Sequence, residues 1–128
     1  MSRPFDPARE TYVSLATFRR DGREVRTAVW IAGAGGKLYV YTNGTSWKVK
    51  RLRNDPRVRL AACDARGKLR APEAWLDGRG RVEQDPARMQ TGIDAVAAKY
   101  GWQARLLYLG ARIGGRWKDR TILEIELA

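Results

Sequence analysis

The chain of 128 residues is 44% hydrophobic and carries a formal net charge of +11 at pH 7. This length predicts a single domain over residues 1–128, which at this size buries about two thirds of its unfolded surface. Histidine is absent from the sequence. That absence excludes the commonest general base, the Ser-His and Cys-His nucleophile pairs and nearly all ordinary zinc sites. The composition therefore predicts no metal site, and it predicts that any enzymatic chemistry comes from a bound cofactor.

The composition also predicts where the protein acts. Its first ten residues, MSRPFDPARE, lack the apolar core of a signal peptide, and no apolar run approaches the roughly 20 residues that cross a bilayer. The single cysteine, Cys63, forms no intrachain disulfide, as expected in a reducing compartment. We expect a cytoplasmic protein with no membrane partner. Without a histidine to activate it, Cys63 is predicted to be a small buried strand residue rather than a nucleophile.

The excess of basic residues leaves two classes of partner to consider. The 25 Lys and Arg residues, together with 5 Trp and 5 Tyr, could bind nucleic acid through phosphate contacts and base stacking. The cations are spread along the whole chain, however, and no RNA-binding signature of the RNP1 kind is present. No specific nucleic acid is therefore predicted. A basic surface also attracts small anionic ligands.

The N-terminal part of the chain predicts a lead-in followed by a hairpin. Residues 1–10 contain two prolines and predict an arm or a short helical segment. Residues 12–18 are predicted to be a strand, and residues 20–22 supply the turn of a tight hairpin. Residues 24–31 then alternate as a second strand, with Val25, Thr27, Val29 and Ile31 on one face. The glycine-rich residues 33–36 are predicted to turn the chain into the next strand.

Residues 37–64 predict a strand, a helix and another strand. Leu38, Val40 and Thr42 alternate with Tyr39 and Tyr41 up to a stop at residues 43–44. A hydroxyl N-cap from residue 45 or 46 then begins a helix over residues 47–53. The run Asn54-Asp55-Pro56 ends that helix, because the residue before proline avoids the helical region and proline has no amide hydrogen. Residues 57–64 alternate again as a strand.

This helix start gathers the groups that bind anions. Unpaired amides, the positive end of the helix dipole, the Ser46 hydroxyl and the cations Lys48, Lys50 and Arg51 together suit a phosphate. The alternative is a solvated basic helix that Ser46 merely caps. Spacing alone favours neither interpretation.

The C-terminal half completes a mainly β pattern. Residues 71–82 are predicted to be a strand, whose Gly78 and Gly80 leave room for a ligand or a backbone, or mark a bend of the barrel, which we favour. Helices are predicted from residue 85 to 100, as a plug for the barrel end, and over residues 102–111. Residues 120–127 alternate as a closing strand, whereas residues 116–117 stay unassigned. Six strands joined mostly by short turns predict a mainly β fold, an antiparallel β-barrel with peripheral helices.

The run Thr42-Asn43, Ser46, Lys48 and Asn54-Asp55-Pro56-Arg57-Val58 resembles the flavin-binding segment of the pyridoxamine 5'-phosphate oxidase-like split-barrel family, which has T-N-x-x-S-x-K before N-P-x-V. The additional cations up to Arg53, and the later run of residues 63–67, are more similar to its deazaflavin-using branch. The likeness covers about residues 12–83. It implies a six-stranded split barrel of the FMN-binding type, with residues 1–128 as one flavin- or deazaflavin-binding domain.

The resemblance implies an oxidoreductase that transfers a hydride between coenzyme F-420 (first choice) or FMN and a small organic substrate. Cofactor-binding residues would be Thr27, Ala28, Val29 and Trp30 against the ring, together with Thr42, Asn43, Ser46, Lys48, Lys50 and Arg51. No catalytic residue is assigned. Ile31 stands where the oxidases have a lysine that reaches the flavin phosphate, so phosphate binding falls to residues 46–51. The arginines that grip pyridoxal phosphate have no counterpart, so that activity is not expected.

Alternatives to an enzyme are a non-catalytic flavin or deazaflavin binding or storage protein and, less favoured, a basic nucleic-acid-binding barrel. A six-stranded barrel leaves little interior room for a flavin-sized ligand, so the cofactor should lie outside it. The family places its two sites at a homodimer interface. We therefore expect a homodimer, with Trp30, Trp75 and Tyr41 as the uncovered aromatic surface. For Trp30, packing in the core or at the dimer interface and contact with the ligand are equally favoured.

Overall fold

The computed structural model describes residues 3–128, which form an antiparallel sheet of seven strands with helices outside it. The strands are β1 (Tyr12–Phe18), β2 (Glu24–Val29), β3 (Ala32–Ala34), β4 (Lys37–Asn43), β5 (Arg57–Cys63), β6 (Leu76–Glu83) and β7 (Arg120–Leu127). The α-helices are α1 (Trp47–Asn54), α2 (Pro86–Tyr100) and α3 (Trp102–Ile113), and short 3-10 helices cover Pro7–Arg9 and Trp117–Asp119. The predicted mainly β fold with peripheral helices is confirmed.

The order of strands in the sheet makes it a split barrel. It runs β2-β1-β5-β6-β7-β4-β3, and every neighbouring pair is antiparallel. The two edge strands, β2 and β3, are consecutive in the chain and are separated only by Trp30 and Ile31. The curled sheet is therefore closed by the chain itself. The prediction of six strands was wrong, because residues 24–34 break at Trp30 and the two parts pair with opposite edges.

Helix α2 holds this seam, which we define as residues 30–31 and their contacts. The Ile31 amide donates to the Tyr100 hydroxyl at 2.9 Å, and that hydroxyl donates to the Thr11 carbonyl at 2.8 Å. The Lys99 ammonium donates to the carbonyls of Glu10 and Ile31. Burial raises the pKa of Tyr100 to about 12, so its hydroxyl keeps its proton at physiological pH. At the break between β2 and β3, side chains of α2 therefore satisfy the backbone amide and carbonyl of Ile31, in place of hydrogen bonds to a neighbouring strand.

Two apolar clusters lie on the two faces of the curled sheet. The interior cluster includes Leu38 and Val40 of β4, and Val49 and Leu52 of α1 join it. The outer cluster packs α2 and α3 against Tyr39 and other outward residues of β4 and β7. The alternation predicted for β4 is confirmed. The helix predicted to plug the barrel, α2, instead covers its outer face, and α1 contributes the side chains that enter the interior.

Several predicted boundaries need correction. Strand β6 begins at Leu76 rather than at residue 71, because the intervening segment contains Pro72, which has no amide hydrogen for a ladder. Strand β5 ends at Cys63, one residue early, and Cys63 is buried and free as predicted. Strand β3 lies partly within residues 33–36, which were predicted to be only a turn. Of the predicted lead-in, residues 1 and 2 lie outside the described range, and a 3-10 helix covers Pro7–Arg9.

The glycines of β6 make room for the protein's own atoms. A Cβ on Gly80 would lie 3.1 Å from Val58 Cγ1 and 3.2 Å from Leu52 Cδ2, so the missing side chain lets α1 approach β6. A Cβ on Gly78 would lie 2.8 Å from the Glu126 carbonyl oxygen of β7. The space beside both glycines is filled, and neither provides a ligand groove. Gly80 instead seats the helix that begins at the candidate site.

Candidate functional site

A groove of about 1010 Å³ opens between α1 and the hairpin of β1 and β2. It is lined by apolar and aromatic side chains, by cations and by neutral polar groups. The first kind is Phe18, Val25 and Trp47, the second is Arg19, Arg20, Lys48, Lys50 and Arg51, and the third is Thr27, Ser46 and Asn54. No carboxylate lines it. A groove of this size and composition suits an anionic ligand with an apolar ring.

The turn before α1 is built by local hydrogen bonds. The Asn43 side-chain oxygen accepts from the Thr45 amide at 2.8 Å and from the Thr45 hydroxyl at 2.7 Å, a typical Asx turn. Ser46 then occupies the N-cap position with extended backbone, but its hydroxyl makes no cap hydrogen bond. It lies instead 3.4 Å from the Thr42 hydroxyl. The first-turn amides of α1 therefore stay without a side-chain acceptor, as an anion site requires.

The cations of the groove are not neutralised by the protein. Within residues 3–128, none of the five Lys and Arg side chains that line it takes part in a salt bridge. Burial, with a smaller effect of the Arg51 charge, lowers the pKa of Lys48 below its usual 10.5. Burial and the Arg19 charge likewise lower the pKa of Arg51. The free site is therefore electrostatically strained, and a bound anion would relieve it.

Two contacts hold the cationic side chains in place. Arg51 Nε donates to the hydroxyl of Thr17, which is fully buried in β1, at 2.6 Å. That bond leaves the two terminal guanidinium nitrogens without a hydrogen-bond partner in the described part of the chain. Lys50 Nζ lies 4.3 Å from the centroid of the Trp47 ring, and this ring is 70% exposed at the groove. The hydrogen bond to Thr17 therefore fixes Arg51 to β1, whereas the Lys50 ammonium lies over the Trp47 ring.

The structure brings together five of the predicted cofactor-binding residues, Thr27, Ser46, Lys48, Lys50 and Arg51, around this groove. Thr42 and Asn43 lie behind it and shape the turn. Ala28, Val29 and Trp30 do not line it.

The directions of these three side chains explain why they do not line the groove. Ala28 points to the face of β2 opposite that of Thr27, Val29 belongs to the interior cluster at 9% exposure, and Trp30 follows the end of β2 and packs against the outer cluster. Residues 27–30 therefore offer the groove one side chain, that of Thr27.

The aromatic side chains expected to form an uncovered surface are packed within the chain. Trp30 stacks on Tyr100 with ring centroids 4.3 Å apart, and Tyr41 lies 5.0 Å from Tyr108. Trp75 lies between two guanidinium groups, those of Arg26 at 4.5 Å and Arg59 at 4.6 Å. The most exposed aromatic side chains are instead Trp47 at 70% and Trp102 at 69%. The first lies at the groove and the second begins α3.

Sequence reasoning missed the wall that faces α1. Phe18, Arg19, Arg20 and Val25 of the first hairpin line the groove, and Thr17 holds Arg51. The pair of arginines after β1 carried a usable signal, because adjacent cations beside an anion site are typical of phosphate recognition. Nothing local to residues 17–20 shows that they lie beside residues 46–51.

The residues present fit a phosphate-bearing flavin or deazaflavin. Unpaired first-turn amides, the hydroxyls of Ser46 and Thr27, and cations that lack carboxylate partners match a phosphate group. Phe18, Val25 and Trp47 give an apolar wall for a planar ring. The side chains that line the groove include no His, Asp or Glu, so proton transfer would have to involve a hydroxyl, a lysine or water.

Comparisons with known proteins identify the family of the chain. Residues 6–128 match the family model described as pyridoxamine 5'-phosphate oxidase. No protein of curated function matches the chain at a significant level of sequence similarity.

No helix in residues 3–128 has both the length and the apolar character needed to span a membrane.

Solved structures share the fold at low sequence identity. A conserved hypothetical protein from Mycobacterium tuberculosis superposes with a TM-score of 0.69 at 22% identity, over 94% of this chain and 74% of its own. An F420 reductase has a TM-score of 0.64 at 20% identity, over 100% and 96% of the two chains. The heme storage protein HutZ from Vibrio cholerae has a TM-score of 0.68 at 13% identity, over 95% and 84%. These likenesses show the fold alone.

Proposed function

Because the chain belongs to the pyridoxamine 5'-phosphate oxidase-like family, we propose that it is an oxidoreductase that uses coenzyme F-420 or FMN. The observation that carries the proposal is the groove at the uncapped start of α1, whose cations have no carboxylate partner. When bound, the flavin or deazaflavin ring supplies hydride transfer to or from a small organic substrate. Residues 1–128 act as one cofactor-binding domain.

Several residues of the groove then have a role in binding. The first-turn amides of α1, the Ser46 hydroxyl and the Lys48 ammonium hold the phosphate. Arg51, fixed through Thr17, offers its two free terminal nitrogens to a second anionic oxygen. Thr27 and the exposed ring of Trp47 bound the space for the planar ring and exclude water from it.

The number of cations favours coenzyme F-420 over FMN. The deazaflavin coenzyme carries a phosphodiester and a tail of glutamates, so it presents anionic groups over a longer distance than a single phosphate. Arg19 and Arg20 extend the positive wall beyond Lys48 and Arg51, on the side of the first hairpin. That extension suits the tail, whereas FMN would leave these two arginines without partners.

We propose that the protein acts as a homodimer in the cytoplasm. The groove lies outside the barrel and is open, and Trp47 at its rim is 70% exposed, so a second subunit would cover the ring of the cofactor. Trp47 replaces Trp30, Trp75 and Tyr41 as the expected interface aromatic. The free, buried Cys63, whose pKa burial raises, is consistent with a reducing compartment.

Titration of the apoprotein tests this assignment. Coenzyme F-420 and FMN, each added separately, should quench tryptophan fluorescence and saturate at one cofactor per subunit, with F-420 the tighter ligand. Trp47→Phe should bind normally but lose most of the quench, because this ring borders the groove. Trp102→Phe, equally exposed on α3, is the matched control and should keep the quench. Failure of both cofactors to bind would refute the proposal.

A binding or storage protein without catalysis is the second candidate. Its supporting observation is the lack of His, Asp and Glu among the side chains that line the groove, which leaves no ordinary general acid or base there. Saturable cofactor binding without turnover of small unsaturated or carbonyl compounds would favour it. A basic nucleic-acid-binding barrel stays the third alternative, and it predicts tight oligonucleotide binding at physiological salt without affinity for either cofactor.

A further inference from the structure

Helix α3 has two apolar faces, and only one of them is covered. Ala104, Tyr108 and Ala111 are buried against the rest of the protein, and the Tyr108 hydroxyl donates to the Ile93 carbonyl of α2 at 2.9 Å. The opposite face carries large apolar side chains that recur every three or four residues and are 53–78% exposed, namely Trp102, Leu106, Leu109 and Ile113. We call these four residues the α3 stripe.

The charged residues of α3 and of the adjoining sequence all have one sign. Residues 95–118 contain no Asp or Glu, whereas Arg105, Arg112, Arg116 and Lys118 are exposed. Within the described residues, none of these four cations forms a salt bridge. Arg112 lies over the Trp117 ring at 4.5 Å, which holds one guanidinium close to the end of the helix. An apolar stripe flanked by cations matches a partner that is apolar inside and anionic at its surface.

A second copy of the chain is a poor match for this face. A closed dimer would place the same patch of both subunits around a two-fold axis, so Arg105 and Arg112 would meet cations rather than carboxylates. Like charges brought together oppose association. Nucleic acid satisfies the cations, but the large apolar side chains between them would then meet phosphates and water. A bilayer surface with anionic headgroups satisfies both features at once.

We propose that α3 docks on the surface of a membrane that contains anionic phospholipids. The helix lies in the plane of the interface, the α3 stripe enters the boundary between headgroups and acyl chains, and the flanking arginines bind headgroup phosphates. This proposal departs from the expectation of no membrane partner, which rested on the lack of an apolar run long enough to cross a bilayer. The inference rests on α3 alone and does not depend on the cofactor.

Co-sedimentation with lipid vesicles tests the proposal. Vesicles of phosphatidylcholine with phosphatidylglycerol are compared with pure phosphatidylcholine, at low and at high salt. Each basic residue near an anionic surface contributes about fivefold to partitioning, so the three arginines Arg105, Arg112 and Arg116 predict a preference of about a hundredfold for the anionic vesicles. High salt should abolish most of that preference.

Two matched pairs of variants locate the contact. Trp102→Gln should weaken partitioning about tenfold, whereas Trp47→Gln, an equally exposed tryptophan that also begins a helix, should not. Arg105→Glu should weaken partitioning by about 25-fold. Arg79→Glu changes the net charge equally at an exposed position of β6, and it should have a much smaller effect. Circular dichroism verifies that each variant is folded.

Three results would overturn the proposal. Equal partitioning to anionic and neutral vesicles would exclude headgroup recognition. Equal losses in Arg105→Glu and Arg79→Glu would mean that the overall positive charge, not α3, attracts the vesicles. A dimer in sedimentation velocity that Trp102→Gln dissociates, together with no vesicle binding, would show that a second copy covers the α3 stripe.

Discussion

Replacing Lys48 by Ala should separate cofactor affinity from the stability of the free protein. Lys48 lies in the first turn of α1, lines the groove and has no carboxylate partner there. Its loss removes a charge-assisted contact worth about 1.5–3 kcal/mol, so the affinity for cofactor should fall by about 10- to 100-fold. Burial and the Arg51 charge disfavour the charged form of Lys48. The free energy of unfolding of the free variant should therefore stay equal or rise by up to about 0.5 kcal/mol.

The matched control is Arg53→Ala in the same helix. Arg53 is exposed and does not line the groove, so its loss removes the same charge without a direct contact. At physiological ionic strength the Debye length is about 8 Å, and the affinity should change by less than about twofold. Fluorescence titrations give the affinities, and thermal melts with and without cofactor give the stabilities. Equal losses of affinity in both variants, or none in Lys48→Ala, would show that the cluster is only a solvated basic face.

The same side chain predicts a pH dependence of binding. The pKa of Lys48 is lowered in the free protein, and a bound phosphate should raise it again. Binding then takes up a proton between these two pKa values, so affinity should fall as the pH rises through that alkaline window. The titration repeated at increasing pH measures this effect. Because the Lys48→Ala protein lacks the group, a pH dependence that persists unchanged in it would exclude Lys48 as the source.

Two further predictions concern the support of the groove. Thr17→Val removes the oxygen that accepts from Arg51 Nε, so stability should fall by about 1 kcal/mol and cofactor affinity by about three- to tenfold, as measured by melts and titration; an unchanged affinity would mean that Arg51 does not need this anchor. Gly80→Ala places a methyl group against Leu52 and should cost about 1–3 kcal/mol by denaturant unfolding. Its control, Gly110→Ala on α3, meets no atom within 4 Å and should be neutral or stabilising, because alanine is the better helix former. Equal effects of the two glycine changes would contradict the packing argument.

The parts of the fold that sequence analysis predicted well depend on local signals. Helix α1 begins after the Asn43 turn and ends before Pro56, because turn and proline signals act within a few residues. Ser46 takes the predicted N-cap position, but the predicted hydrogen bond from its hydroxyl is not made. The alternation of β4 placed Val40 and Tyr39 on opposite faces without knowledge of the partner strand, and the structure has Val40 in the interior cluster and Tyr39 in the outer one. The cations at the start of α1 could be predicted for the same reason. Lys48, Lys50 and Arg51 lie on α1, whereas Arg19 and Arg20 follow β1 and were missed.

What sequence analysis missed depends on contacts between distant residues. Thr17 and Arg51 are 34 positions apart, and nothing in either segment indicates their hydrogen bond. The break at Trp30 follows from the pairing of β2 and β3 with opposite edges, which only the closed sheet determines. Of residues 27–30, which were expected against the ring, only Thr27 has its side chain at the groove, and the groove forms only where the first hairpin meets α1. The cofactor-binding residues themselves stay a prediction until a ligand is titrated.

The place of β7 in the sheet has a consequence for synthesis of the protein. Strand β7 is the last of the seven in chain order, yet it lies between β6 and β4 and hydrogen-bonds to both. While the ribosome is still translating, β4 and β6 have no partner on those edges, and the nascent chain presents open strands. The barrel can therefore assemble only after residues 120–127 have been released, as a late step that depends on long-range contacts. A ribosome that stalls before these residues would leave an aggregation-prone chain rather than a smaller folded domain.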